Sequence, residues 1–70
     1  MAVNELFAGI SVAHLDAAVT WYERLMGRPA DFFPNENEAV WKVVGTGWIY
    51  VVADTDRAGT ALLTLLVDGP

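Results

Sequence analysis

The spacing of apolar positions changes period along this 70-residue chain. Over residues 6–13 (LFAGISVA) the chain alternates two faces, as a strand does. Leu6, Ala8, Ile10 and Val12 point one way and are uniformly apolar, which suits a packed helix. Phe7, Gly9, Ser11 and Ala13 point the other way, and this mixed set suits the lining of a cavity. The period then becomes helical: Leu15, Ala18, Val19, Tyr22, Leu25 and Met26 form one stripe. Asp16 falls in the first turn and Arg24 and Arg28 near the end, as the helix dipole favours. Gly27 suits a left-handed C-terminal cap, and Pro29 prevents continuation. Residues 13–29 (AHLDAAVTWYERLMGRP) therefore predict one short amphipathic helix with a definite stop.

Only strand-like segments follow. Residues 30–33 are a short strand candidate, and Pro34 with the NENE run reads as a turn. Residues 39–45 (AVWKVVG) predict a strand, Thr46 and Gly47 a tight hairpin, and residues 48–53 (WIYVVA) the return strand. Residues 54–59 (DTDRAG) are a polar loop. Residues 60–67 (TALLTLLV) suit helix or strand on propensity alone. No internal repeat, low-complexity run or linker divides the chain, so the order is β-α-β-β-β with one further element.

Composition narrows the function classes. Hydrophobic residues make up 54% of the chain, which excludes disorder and leaves more apolar surface than so short a chain can bury alone. A partner is therefore expected. The net charge is −5, and the four bases, Arg24, Arg28, Lys42 and Arg57, form no cluster, so nucleic-acid binding is not expected. There is no cysteine, hence no disulfide, thiolate nucleophile or cysteine metal site. MAVNELFAG lacks the basic start and apolar core of a signal peptide. No apolar run approaches the ~20 residues of a membrane span. A soluble cytoplasmic protein, with no membrane partner, is the expectation.

The run FAGISVAHLDAAVTWYERLMGRP resembles the opening of the vicinal oxygen chelate superfamily, which contains glyoxalase I, bleomycin-resistance proteins and extradiol dioxygenases. The cues are a first strand ending near SVA, the LDAAVTWY helix start, the aromatic pair Trp21–Tyr22, and LMGRP closing the helix. EAVWKVVGTGWIYVV and LLTLLVDG fit the same pattern, so the resemblance covers nearly the whole chain. It implies an α+β fold built on a βαβββ module, two of which form an eight-stranded open cup with helices outside. Residues 6–53 would be one module and residues 60–67, then a strand, the start of a second. The chain as a whole, 1–70, would be a partial domain, the incomplete half of a two-module cup. The alternative is a free-standing small α+β protein.

The resemblance also implies metal-ligand positions, and these carry the wrong residues. They fall at Phe7, near Tyr50 and near Leu62; Phe and Leu have no donor atom. Metal-dependent lyase or dioxygenase chemistry would need ligands from outside the chain, and no cofactor is expected. His14, the one histidine, reads as a helix-start residue, because one His without converging carboxylates makes no site. Asp54 and Asp56 beside Arg57, and Glu36 and Glu38, read as solvated loops. No catalytic residue is assigned. If Tyr50 marks the cup-facing parity, then Phe7, Ser11, Lys42, Trp48, Tyr50 and Thr64 line one concavity. Flat aromatic walls with a few polar groups suit a small organic ligand. The expected function is non-metal small-molecule binding in an aromatic cup, completed by a homodimer partner or a missing second module. The other readings are a metal-dependent enzyme of the same superfamily and an inactive structural half-module.

Overall fold

A computed structural model describes residues 2–68. The elements run β1 (Val3–Val12), α1 (Leu15–Met26), β2 (Phe32–Asn35), β3 (Glu38–Val44), β4 (Gly47–Ala53) and β5 (Ala61–Val67). The five strands form one sheet in the order β2-β3-β4-β1-β5. Strand β1 runs parallel to β4, while the β1–β5, β2–β3 and β3–β4 pairs are antiparallel. The parallel pair requires a crossover, and α1 lies within it. Residues 61–67 are a strand, although propensity alone left them open.

The helix forms as its local signals dictate. His14 is the extended N-cap residue, and its side chain makes no capping bond. Gly27 adopts φ 74°, the left-handed conformation that an L side chain resists, and its N–H donates to the Glu23 carbonyl at 2.8 Å.

Several sequence boundaries move. β1 begins at Val3, because Val3 and Glu5 to Ile10 find partners on β5, with a shift of register at Asn4. β2 begins at Phe32 and includes Pro34, which had read as part of the turn. Pro34 is tolerated there because β2 is an edge strand, where a missing N–H breaks no ladder. Glu38, expected in a loop, opens β3. The hairpin turn lies at Gly45 and Thr46, and Gly47 already belongs to β4.

The core is small: Ala39, Trp41 and Val51 cluster on the helix side of the sheet, and Val40 is buried on the other side. Among the described residues the buried hydrophobics are Ala39, Val40, Trp41 and Val51. Leu15, Ala18, Val19, Tyr22 and Met26 of α1 pack onto Ala39, Trp41 and Val51, together with Val12, Ala30 and Ile49. The Trp41 indole N–H donates to the Arg28 carbonyl at 3.2 Å, so this buried ring keeps its polar atom satisfied. The helix is thus centred over β3 and β4 rather than over the β1 face expected to receive it.

Leu25 departs from the predicted stripe: it is 61% exposed. At 100° per residue it stands roughly 80° from Leu15, on the flank of a face centred near Leu15 and Met26. Packing on so small a sheet reaches only the centre of that face. β5 is exposed along its whole length, and among the described residues no helix covers Leu63, Leu65 or Val67.

An electrostatic clasp joins the helix exit to β3. Arg28 Nη1 donates to Asp31 Oδ1 at 2.7 Å, and the Lys42 N–H donates to Asp31 Oδ2 at 2.5 Å. Arg28 Nη2 donates to the Lys42 carbonyl. The Arg28 hydrogen bond, followed by the Lys42 N–H, holds the Asp31 carboxyl below its ordinary pKa. Among the described residues no helix is long and apolar enough to cross a membrane.

Candidate functional site

Strand alternation and register together define the second face of the sheet. Trp41 and Val51 point to the helix, so Val40, Lys42, Trp48, Tyr50 and Val52 point away from it. Phe7 pairs with Trp48, Gly9 with Tyr50 and Ser11 with Val52, and the same strand β1 pairs Phe7 with Thr64 and Gly9 with Leu62. All six residues read from the sequence as cup lining, Phe7, Ser11, Lys42, Trp48, Tyr50 and Thr64, therefore share this open face. Period-two alternation makes that grouping follow once the strands are in register.

They do not line one concavity. Two depressions occupy the face, with Tyr50 as their common wall. The first, about 280 Å³, is aromatic: Phe7, Phe32, Trp48 and Tyr50 surround it, with Val40 and Pro34. Phe7 and Trp48 stack at 6.3 Å with an interplanar angle of 12°, and Phe32 meets Trp48 edge-on at 6.2 Å. Lys42 Nζ stands 5.6 Å from the Trp48 ring centre, within cation–π range. Glu5 and Glu38 also border this depression.

The second depression, about 230 Å³, is more polar. Gly9, Ser11, Tyr50, Asp54, Arg57 and Thr60 contribute to it. Asp54 Oδ1 accepts the N–H groups of Asp56 and Arg57 at 3.1 and 3.3 Å, which closes the loop as an Asx turn. Thr64 opposes Phe7 in the ladder, and Lys42 pairs with Trp48 on β4, but neither lines either depression.

Gly9 decides the shape of the face. A Cβ at this position would overlap Cζ, Oη and Cε2 of Tyr50. The absence of a side chain lets the Tyr50 ring lie across β1 and divide the two depressions.

Phe32 and Arg57 are contributors that sequence reasoning missed, and Gly9, read only as one of the cavity-facing residues of β1, has a larger part than was read for it. Phe32 reaches the site only because β2 pairs with β3, placing it opposite Val40. Arg57 arrives through the loop that joins β4 to β5. The signal for Gly9 was present in its place among the cup-facing residues of β1, but its meaning depends on Tyr50, its partner on β4. Larger depressions, about 420 and 370 Å³, lie against the helix. The first mixes Leu15, Val19 and Phe33 with Asp16, Thr20, Asn35 and Glu36, and the second is formed by the helix exit around Glu23, Arg24 and Arg28; neither has the set of several rings found on the open face.

The residues do not fit a divalent metal at the positions the resemblance implied. Phe7 and Leu62 offer no donor, and Tyr50 lies folded over Gly9 between them. Among the described residues no three His, Cys, Asp or Glu side chains converge. His14 and Asp56 line neither depression on the open face.

No family model and no curated protein matches the chain. A solved structure does: the crystal structure of a glyoxalase / bleomycin resistance protein from Catenulispora acidiphila. Its TM-score is 0.75 at 40% sequence identity, and the match covers 79% of this chain. The chain spans about half of that protein, 50% of its length. The element order, the mixed sheet and this likeness agree: the fold of the chain is that of the vicinal oxygen chelate superfamily, one βαβββ module with an added strand.

Proposed function

We propose that the open face of the sheet binds a small, largely apolar organic molecule, without a metal, and that a second βαβββ unit completes the site. The observation that carries this reading is the ring set Phe7, Phe32, Trp48 and Tyr50 around one depression. Four aromatic side chains on three strands offer flat apolar walls, and Glu5 and Glu38 at the border supply the polar groups that fix orientation. The similar protein is named for glyoxalase and bleomycin resistance, and it is about twice as long as the matched region. That length supports a second unit, provided by a further stretch of chain or by a second copy.

The test is titration of 4-phenylbutan-1-ol into the chain, followed by amide chemical shifts and tryptophan fluorescence. Saturable binding should perturb Phe7, Phe32, Trp48 and Tyr50 together. Trp48→Ala should weaken it at least about tenfold, the order expected for removing an aromatic wall. Unchanged affinity in Trp48→Ala, or shifts confined to the helix side, would remove the proposal. A complete lack of binding would favour a structural half-module.

A further inference from the structure

The polar depression carries a chemistry of its own. Ser11 Oγ, Tyr50 Oη and the Arg57 guanidinium belong to residues that line it. Among the described residues none of the three side chains has a hydrogen-bond or ion-pair partner. All three donate, and a guanidinium prefers a planar pair of oxygens. The one carboxylate present, Asp54, already has Oδ1 engaged by two backbone N–H groups. Thr60 turns its hydroxyl away to the Arg57 carbonyl at 2.7 Å, which ties the loop that carries the guanidinium.

From this geometry we infer that the second depression is a carboxylate subsite, held by Arg57 with the hydroxyls of Ser11 and Tyr50. It rests on the reading that the neighbouring depression takes the apolar part of the same ligand. The ligand class is then an aryl-alkyl carboxylic acid. Its ring lies among Phe7, Phe32 and Trp48, its linker crosses Tyr50, and its carboxylate meets Arg57. Trp48, Tyr50 and Val52 follow one another on one face of β4 at about 7 Å per step, so a linker of about three carbons spans the shared wall. The net charge of −5 disfavours anions at long range, but that field is screened beyond ~8 Å at physiological salt. Local donors therefore decide. Asp54 opposes the carboxylate, which makes the sign of its substitution informative.

The experiment compares 4-phenylbutanoate, 4-phenylbutan-1-ol and acetate on the 70-residue chain by amide shifts and affinity. The acid should bind about tenfold more tightly than the alcohol and alone of the two should perturb Ser11, Arg57 and Thr60. Arg57→Gln should reduce the acid to the affinity of the alcohol and leave the alcohol unchanged. Asp54→Asn keeps an oxygen for the turn, removes the like charge, and should tighten the acid a few-fold, which a merely structural role would not do. Equal affinity of acid and alcohol with shifts only at the rings would overturn the subsite and leave the aromatic site standing. Acetate shifts at Ser11 and the loop with no ring shifts from either phenyl compound would overturn the aromatic site and leave the subsite standing. No shifts from any of the three would overturn both.

Discussion

Two residue-level contacts govern local behaviour. At Gly9, φ is not positive, so alanine meets no backbone penalty; the obstacle is the Tyr50 ring. Gly9→Ala should cost about 1–3 kcal/mol, the range for overpacking, because the ring must leave its seat. In a Tyr50→Ala background the same change should be neutral or stabilising by up to ~1 kcal/mol, through the stiffer unfolded chain. A double-mutant cycle of denaturant unfolding measures this, and additive costs would mean that ring and glycine do not meet. The Asp31 clasp gives a pH dependence. Its folded pKa is depressed by Arg28 and the Lys42 N–H, so its contribution is complete above the unfolded value and is lost as pH falls through the folded one. The thermal midpoint should therefore fall on acidification below about pH 4. Asp31→Asn should lower the midpoint at neutral pH and flatten that acid limb. Parallel midpoint curves for the two proteins would exclude the clasp as a source of stability.

At the scale of elements, the helix holds the sheet through the centre of its face only. Trp41 is fully buried beneath Tyr22, with ring centres 5.9 Å apart, and connects α1 to β3. Trp41→Ala should cost about 3–5 kcal/mol. Leu25→Ala, on the exposed flank, should stay within about 0.5 kcal/mol. Urea midpoints decide the matter; similar losses would place Leu25 in the core after all. Strand β5 is the opposite case. It is held by the β1 ladder and, at its ends, by the Gly59 N–H to the Ser11 carbonyl at 2.9 Å and by paired bonds between Ala2 and Asp68. No layer packs on either of its faces among the described residues.

For the molecule as a whole, that bare strand predicts association. Leu62 and Leu66 are exposed on the open face, and Leu63, Leu65 and Val67 on the helix side, where α1 does not reach. Among the described residues the outer edge of β5 also has no partner strand. Apolar burial and edge pairing both favour a second unit there, and for the isolated chain that unit is a second copy. The 70-residue chain should be dimeric or larger at micromolar concentration by sedimentation equilibrium. Leu63→Lys should shift it toward monomer at little cost to the fold, since Leu63 is already 61% exposed. A well-folded monomer throughout that range would contradict the need for a second unit.

What could be read from the sequence was what depends on neighbours along the chain. The helix and its glycine stop, the β-α-β-β-β order with a further element, and the alternation within each strand follow from local period and backbone preference, whereas the common face of Phe7, Ser11, Lys42, Trp48, Tyr50 and Thr64 across four strands rests on the family resemblance and on the register. Residues 60–67 needed the family resemblance, because an apolar run without alternation fits either period. The rest was decided by tertiary structure, because it depends on pairs distant in sequence. Phe32 joins the aromatic wall only through the β2–β3 register. Leu25 leaves the core because so small a sheet meets only the middle of the helix face. Tyr50 splits the open face in two because β1 and β4, far apart in the chain, bring Gly9 directly beside it.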